Sequence, residues 1–212
     1  MKFYWIKTPS IIKRLFSNQV WAIPNTNNTI YLTFDDGPTP EVTEWTLSVL
    51  KKHNIKATFF CIGKNVEKYP HIFKMVINEG HSIGNHTFNH LNGRKTSNLN
   101  YFENVSLCQS EFKNQNSKIK NLFRPPYGKI KPSQSKKIRK LGYKIIMWDV
   151  LSADFDQTIS KERCLENATK KVTLGSIIVF HDSEKAFKNM QYALPKTIEI
   201  LKEKGYQFDK IV

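Results

Sequence analysis

Two adjacent carboxylates meet a chain reversal in Thr33-Phe34-Asp35-Asp36-Gly37-Pro38. The run Thr29-Ile30-Tyr31-Leu32 before them reads as a buried strand, and Gly37 and Pro38 stop it. The pair therefore belongs at the C-terminal end of a strand, the edge where α/β folds place their chemistry. Side chains alternate along an extended strand, but where the strand turns, two Asp can splay around one centre. One can then hold a cation while the other handles a proton. Asp and Gly are also ordinary turn formers, so these residues alone read equally well as an Asx-turn.

His81-Ser82-Ile83-Gly84-Asn85-His86-Thr87-Phe88-Asn89-His90 holds half of the six histidines. His86 and His90 are four apart, the spacing that brings two imidazoles together on a helical turn. With Asp36 they make two His and one carboxylate, a set suited to a borderline divalent metal with open positions. His81 precedes a strand signal and reads as a local hydrogen-bonding residue. His53 and His71 sit at helix edges and carry no assigned role.

In Phe123-Arg124-Pro125-Pro126-Tyr127-Gly128, two prolines fix the backbone after a short apolar pair. Arg124 leaves that strand end as a candidate bidentate partner for a carboxylate. Gly128 permits an unusual backbone angle, so nearby amides can face a ligand. Val179-Phe180-His181-Asp182 ends an apolar strand in an imidazole, which is costly to bury without a partner. Asp154, in Leu151-Ser152-Ala153-Asp154-Phe155, follows the preceding strand and is the candidate partner. A carboxylate beside an imidazole favours its proton-carrying form. The plainer readings are a rigid loop for the first segment and a satisfied core His–Asp pair for the second.

The elements that must position these groups alternate strand with helix. Helices are predicted at about 40–53, with Thr39 as N-cap and Pro40 in first position, and at 70–78, 98–115, 133–141, 160–172 and 190–204. Strands are predicted from residue 29 and at 57–62, 82–84, 122–123, 143–148, 176–180 and 206–208. Strands apolar throughout, alternating with helices, argue for a parallel sheet covered by helices. Six or seven such units suggest an α/β barrel that need not close. No glycine-rich phosphate loop follows any strand, which speaks against a dinucleotide or nucleoside-triphosphate enzyme. Residues 1–28 read as an N-terminal extension to a domain at 29–212. Ile11, Ile12, Leu15 and Phe16, interleaved with Lys13 and Arg14, form a short amphipathic helix there. Packing on the domain is preferred over a membrane surface, because so short a basic helix binds lipid weakly.

At 212 residues with 40% hydrophobic and 12% aromatic content, the chain is long enough to bury one substantial core. The formal charge of +15 raises an anionic partner: nucleic acid, anionic lipid or a charged glycan. Specific nucleic-acid binding is disfavoured, because the basic residues are mostly Lys, with Arg only at 14, 94, 124, 139 and 163. The densest cluster, Lys136, Lys137, Arg139, Lys140 and Lys144, reads as a solvated helix face. Cys61, Cys108 and Cys164 are widely spaced and read as reduced, buried thiols. No run reaches the length of a membrane span, and the apolar stretch before Lys7 is too short for a signal-peptide core. The expectation is a monomer, cytoplasmic or peripheral to a membrane.

These four segments, in this order, resemble the NodB-like polysaccharide deacetylases, carbohydrate esterase family 4. The resemblance spans about residues 29–209. It implies a distorted, incomplete (β/α) barrel of about seven strand–helix units, in agreement with the strand–helix pattern. It also implies Asp35 as catalytic base, with Asp36, His86 and His90 as ligands of one divalent metal, zinc first, cobalt or another first-row metal as alternatives. By the same resemblance Arg124 orients Asp35, the Tyr127 amide helps bind the oxyanion, His181 is the catalytic acid and Asp154 its partner. Val179 takes the place of a Leu that lines the acetyl-methyl pocket. The family segment Asp-Ser-x-Asp-Trp departs here, with Leu151 for the first Asp and Phe155 for the Trp that helps wall the site. The implied activity is removal of N-acetyl groups from N-acetylglucosamine-containing glycans. The rivals are an O-acetyl xylan esterase, a small-molecule amide deacylase, an inactive glycan-binding homologue and, less in keeping with Arg124 and His181, a two-His-one-carboxylate iron oxygenase.

Overall fold

The computed structural model describes residues 4–115 and 121–212; the first three residues of the predicted extension lie outside them. The strands are β1 (Thr29–Asp35), β2 (Thr58–Cys61), β3 (Ser82–Asn85), β4 (Leu122–Phe123), β5 (Lys144–Ile145), β6 (Val150–Leu151), β7 (Ile177–His181) and β8 (Gln207–Phe208). They pair in the order β5-β4-β3-β2-β1-β7-β6, with β8 on the start of β1, and every pairing is parallel. β1, β2 and β3 are buried along nearly their whole length, so both faces must be covered. Phe34, Phe59 and Phe180 stack on the helix-facing side, with centroids 4.9 and 6.3 Å apart. The opposite, concave side carries Thr33, Asp35, Phe60, Val179 and His181, as the period of two requires.

The helices are α1 (Ser10–Leu15), α2 (Val42–Lys52), α3 (Gly63–Lys68), α4 (Pro70–Asn78), α5 (Asn98–Asn114), α6 (Pro132–Lys140), α7 (Lys161–Thr169) and α8 (Glu184–Glu203). α4 has Pro70 at its start, where the missing N–H costs nothing, and buries Ile72, Phe73 and Val76. α5 is capped by Ser97 and buries Tyr101, Val105, Cys108 and Phe112 at helical spacing. Together these elements form the incomplete (β/α) barrel.

Some expectations are corrected. α2 starts at Val42 rather than Pro40, because the Glu44 carboxylate accepts the Glu41 N–H at 2.8 Å. α8 starts at Glu184 and runs through Pro195, held by buried Ala186, Met190, Leu194 and Ile198. The predicted strand 143–148 is a strand only at Lys144–Ile145, and Ile146 continues as an isolated bridge to Val20. The Ile146 and Met147 carbonyls accept from the Arg124 guanidinium instead, and the Trp148 carbonyl accepts from Thr8.

The N-terminal segment spans the opening of the barrel. Val20 bridges Ile146 beside edge strand β5, and Lys7 bridges Val150 in edge strand β6. Lys7, Lys13 and Ser176 converge on the buried carboxylate of Asp149. Both unpaired sheet edges are thereby covered. Ile11 and Leu15 of α1 nevertheless stay exposed.

Candidate active site

Register sets the first relationship. Asp35, the last residue of β1, pairs directly with His181, the last residue of β7. Asp36 then takes φ +82, which turns its side chain off the strand. The splay expected of the two carboxylates is thus a single left-handed residue. Asn65 donates to the Asp36 carbonyl at 2.8 Å, and Ile62 N–H donates to the Gly37 carbonyl at 2.9 Å. Gly37 N–H donates to Asp182 Oδ1 at 3.1 Å, and a Cβ on Gly37 would fall 2.0 Å from Asp182 Oδ2. The Thr43 hydroxyl donates to the same Oδ2 at 2.6 Å. Burial pushes the Asp182 carboxyl up to about 8. Asp182 therefore anchors the turn that presents Asp36. It lies in a segment the sequence singles out, but nothing in its type marked that role.

His86 and His90 do converge, though not on a helical turn. They flank a loop after β3 in which Thr87 and His90 take φ of 64 and 54. Side-chain acceptors build it: Asn85 Oδ1 takes the Thr87 N–H, and Asn104 Oδ1 takes those of Phe88 and Asn89. These asparagines were not legible as site residues, because their work is on backbone groups. His86 Nδ1–H donates to the Arg124 carbonyl at 2.7 Å, which leaves Nε2 with its lone pair. The Nε2 atoms of His86 and His90 lie 3.6 and 3.1 Å from Asp36 Oδ1. His81 stands apart. Its Nδ1 accepts the Ala57 N–H at 3.1 Å, and burial lowers its pKa to about 4.

Arg124 is fully buried, with its guanidinium carbon 4.1 Å from the Phe60 ring centroid. The expected bidentate fork is not formed. Only Nη1 reaches Asp35, at 2.7 Å to Oδ1; the other donors go to Thr33, Ile146 and Met147. Past the two prolines, Tyr127 and Gly128 have φ of 59 and 63, and a Cβ on Gly128 would meet Trp148 at 2.8 Å. The Gly128 and Lys129 amides are spent on the carbonyls of Pro125 and Pro126, while the Tyr127 amide donates to no described residue.

His181 Nδ1–H donates to Asp154 Oδ1 at 2.8 Å, and its backbone N–H donates to Oδ2 at 2.7 Å. Burial alone would lower its pKa, but the Asp154 carboxylate and those of Asp36 and Asp35 raise it to about 9. Phe155 meets the His181 ring edge-on at 5.0 Å and meets Tyr4 at 5.7 Å. Val179 is buried two residues before His181, on the same face of β7.

Asp36, His86 and His90 fit a divalent metal. Their ligand atoms lie within 4.8 Å of one another, and Asp36 Oδ1 is buried without a hydrogen-bond partner. Burial opposes the charge on Asp36, but His90, His181 and His86 outweigh it and hold the carboxyl well below its usual range. Burial holds His86 down at about 4, hence neutral and able to ligate at pH 7. Beside this pocket stand a carboxylate fixed by a cation and an imidazole that carries a proton. That arrangement can add water across a carbonyl and protonate a leaving group.

Fold and site define a hydrolase of the NodB-like class, carbohydrate esterase family 4. The chain belongs to the polysaccharide deacetylase family, whose model matches residues 22–146. A Bacillus cereus peptidoglycan-N-acetylglucosamine deacetylase is 35% identical over 189 residues, 89% of this chain and 88% of that protein. Other relatives are longer, and the chain spans as little as 38% of their length. A solved peptidoglycan N-acetylglucosamine deacetylase, in complex with 4-naphthalen-1-yl-N-oxidanyl-benzamide, superposes with a TM-score of 0.88 at 33% identity, covering 96% of this chain and 95% of that one. A family pseudoenzyme from Bacillus anthracis superposes at 0.82 and 25% identity, covering 91% and 67%. Fold alone therefore does not carry activity, and the site residues must. Cys61, Cys108 and Cys164 are buried free thiols, and no helix among the described residues is long and apolar enough to cross a membrane.

Proposed function

We propose that this chain hydrolyses the N-acetyl group of N-acetylglucosamine units in a peptidoglycan-type glycan, using one divalent metal, zinc first. The observation that carries this reading is the register pair Asp35–His181 flanking the Asp36, His86 and His90 cluster. Those three residues would hold the ion, and when bound it would supply a Lewis acid that polarises the acetamide carbonyl. Asp35, held by Arg124 at 2.7 Å, takes a proton from water as its oxygen adds to the carbonyl carbon. The Tyr127 amide, which donates to no described residue, would donate to the developing oxyanion. His181, protonated below about 9, gives its proton to the nitrogen as the C–N bond breaks. Acetate and a free amine result. Amines leave poorly as anions, so a strongly held proton on His181 supports an amide over an ester substrate. Val179 and Phe155 would shape the acetyl pocket. Similarity to the named peptidoglycan deacetylases supports the glycan class.

The test is acetate release from N-acetylated chitooligosaccharides, peptidoglycan fragments and acetylated xylan, with and without a chelator. Release from the first two that is lost with chelator and restored by zinc is the expected result. Release from xylan alone would make the enzyme an O-acetyl esterase.

A further inference from the structure

Beside the catalytic pocket lies a second hollow of about 540 Å³, bounded on one side by the N-terminal segment and on the other by α6 and the loop before it. That volume is in the range of ligand sites. Tyr127 belongs to both places: it lines the hollow, and its ring lies 4.5 Å from that of His90. The hollow therefore adjoins the site across Tyr127. Its lining carries four cationic side chains and no acidic one. Arg94, Lys129 and Arg139 are exposed and make no ion pair among the described residues. From the opposite side come Trp5, 43% exposed, and Trp21, whose indole N–H donates to the Phe16 carbonyl at 3.0 Å and so fixes the ring. Flat aromatic rings complement the C–H faces of pyranose rings, and unpaired cations in a concave wall complement carboxylates.

We propose that the N-terminal segment, by spanning the barrel opening, completes a glycan groove that selects strands bearing carboxylates over neutral ones. The proposal rests on the deacetylase reading for the position of the acetyl group, and it names the substrate class of that site. The cationic side chains are exposed, so the selectivity is screened by salt.

Binding to the Asp35→Asn protein separates this proposal from the catalytic one. The probes are a tetramer of N-acetylglucosamine and a tetramer of equal length in which alternate units carry a 3-O-lactyl carboxylate. The acidic tetramer should bind about tenfold tighter at low salt, and the gap should shrink as salt rises. Lys129→Glu with Arg139→Glu should abolish the gap. Lys136→Glu with Lys140→Glu, on the same helix outside the groove and equal in charge change, should preserve most of it. Trp5→Ala should weaken both tetramers alike. Equal binding of the two tetramers overturns the proposal, as does a gap that survives the groove reversal or falls equally with the control. Unchanged affinities in Trp5→Ala overturn the part played by the N-terminal segment. Acetate release by the wild-type protein is read in parallel. Its absence from both tetramers counts against the catalytic reading, while the affinities still judge the groove.

Discussion

Arg124 gives Asp35 a single hydrogen bond, at 2.7 Å to Oδ1, and ties the remainder of its guanidinium to Thr33 Oγ1 and the carbonyls of Ile146 and Met147. The cation is thus locked to the sheet before it meets the carboxylate, and Asp35 Oδ2 stays clear of it. Asp35→Asn should keep the metal and lose about 10²–10⁴-fold in turnover, the usual worth of a positioned base. Metal analysis and acetate release on one preparation check this, and near-normal turnover would remove Asp35 from the role. Arg124→Lys cannot serve four acceptors on two segments, β1 and the stretch after β5. Removing the guanidinium leaves a buried carboxylate uncompensated, and breaking such a pair costs about 3–5 kcal/mol. Denaturant unfolding should register a loss of that order for Arg124→Ala.

His86 faces two ways, its Nδ1–H on the Arg124 carbonyl and its Nε2 toward Asp36. His86→Ala removes a proposed ligand, so metal affinity should fall by more than the roughly 10–100-fold that losing an outer-shell partner costs. His81→Ala is the control, since His81 holds only the Ala57 amide and its ring packs on Phe59. Equal metal content in both variants, measured on purified protein, would take His86 out of the ligand set.

The His181–Asp154 pair predicts the alkaline limb. The pKa is raised to about 9, so the imidazole carries its proton below that pH and loses it above. Turnover that depends on this proton should decline as pH rises through about 9. Asp154→Asn removes the raising carboxylate and leaves the burial, so the limb should move to lower pH by more than one unit, about a tenfold change in proton affinity. A pH–rate profile with the same alkaline limb in both proteins would unseat His181 as the acid.

Most of the architecture was readable because apolar strands and amphipathic helices announce themselves by period. β4 and α4 fall where hydrophobic runs meet prolines. That the candidate side chains gather at one place was readable from residue type, as for Asp35, His86 and His181. The site was unreadable wherever tertiary contact overrides local spacing. The His86–His90 interval is helical by count, yet Asn85 and Asn104 hold it in a loop with two left-handed residues. The split of the strand after Ile145 depends on carbonyls claimed by Arg124, more than twenty residues away in sequence. The span of the N-terminal segment across the barrel opening left no periodic trace, because three isolated backbone bridges and a lysine–aspartate cluster hold it rather than a strand.

Asp182 should respond to shape and hydrogen bonding rather than to charge. Its carboxyl is buried, raised to about 8, and takes the Gly37 N–H and the Thr43 hydroxyl. A carboxyl raised to about 8 is mostly neutral at pH 7, and Asn keeps an acceptor for Gly37, so Asp182→Asn should fold there with stability within about 1 kcal/mol of the parent. Asp182→Leu leaves the Gly37 amide without its partner, which costs about 1–3 kcal/mol, and loosens the turn that presents Asp36. Its metal affinity should fall with its stability. Thermal unfolding and metal titration of the two variants check this, and a Leu variant that binds metal normally would deny the anchoring role.

Asp149 is the point at which the N-terminal segment is fastened. Its side chain is 1% exposed and accepts from Lys7 at 2.6 Å and from Lys13 and Ser176. Burial would raise its pKa, but these donors prevail and lower it from 3.8. A carboxyl depressed in the folded state adds stability that is present above the ordinary value of 3.8. That stability is lost as pH falls through the lower folded value. Protection against hydrogen exchange across residues 7–22, taken relative to the intrinsic rate at each pH, should therefore be strong at neutral pH and weaken in acid below about 3.8. Asp149→Ala should show the weak protection at every pH, with opening easier by about 1–3 kcal/mol. Because the same segment walls the glycan groove, Asp149→Ala should also weaken glycan binding without altering metal affinity. Exchange that is identical in the two proteins would place the fastening elsewhere, in the Val20 and Ala22 bridges.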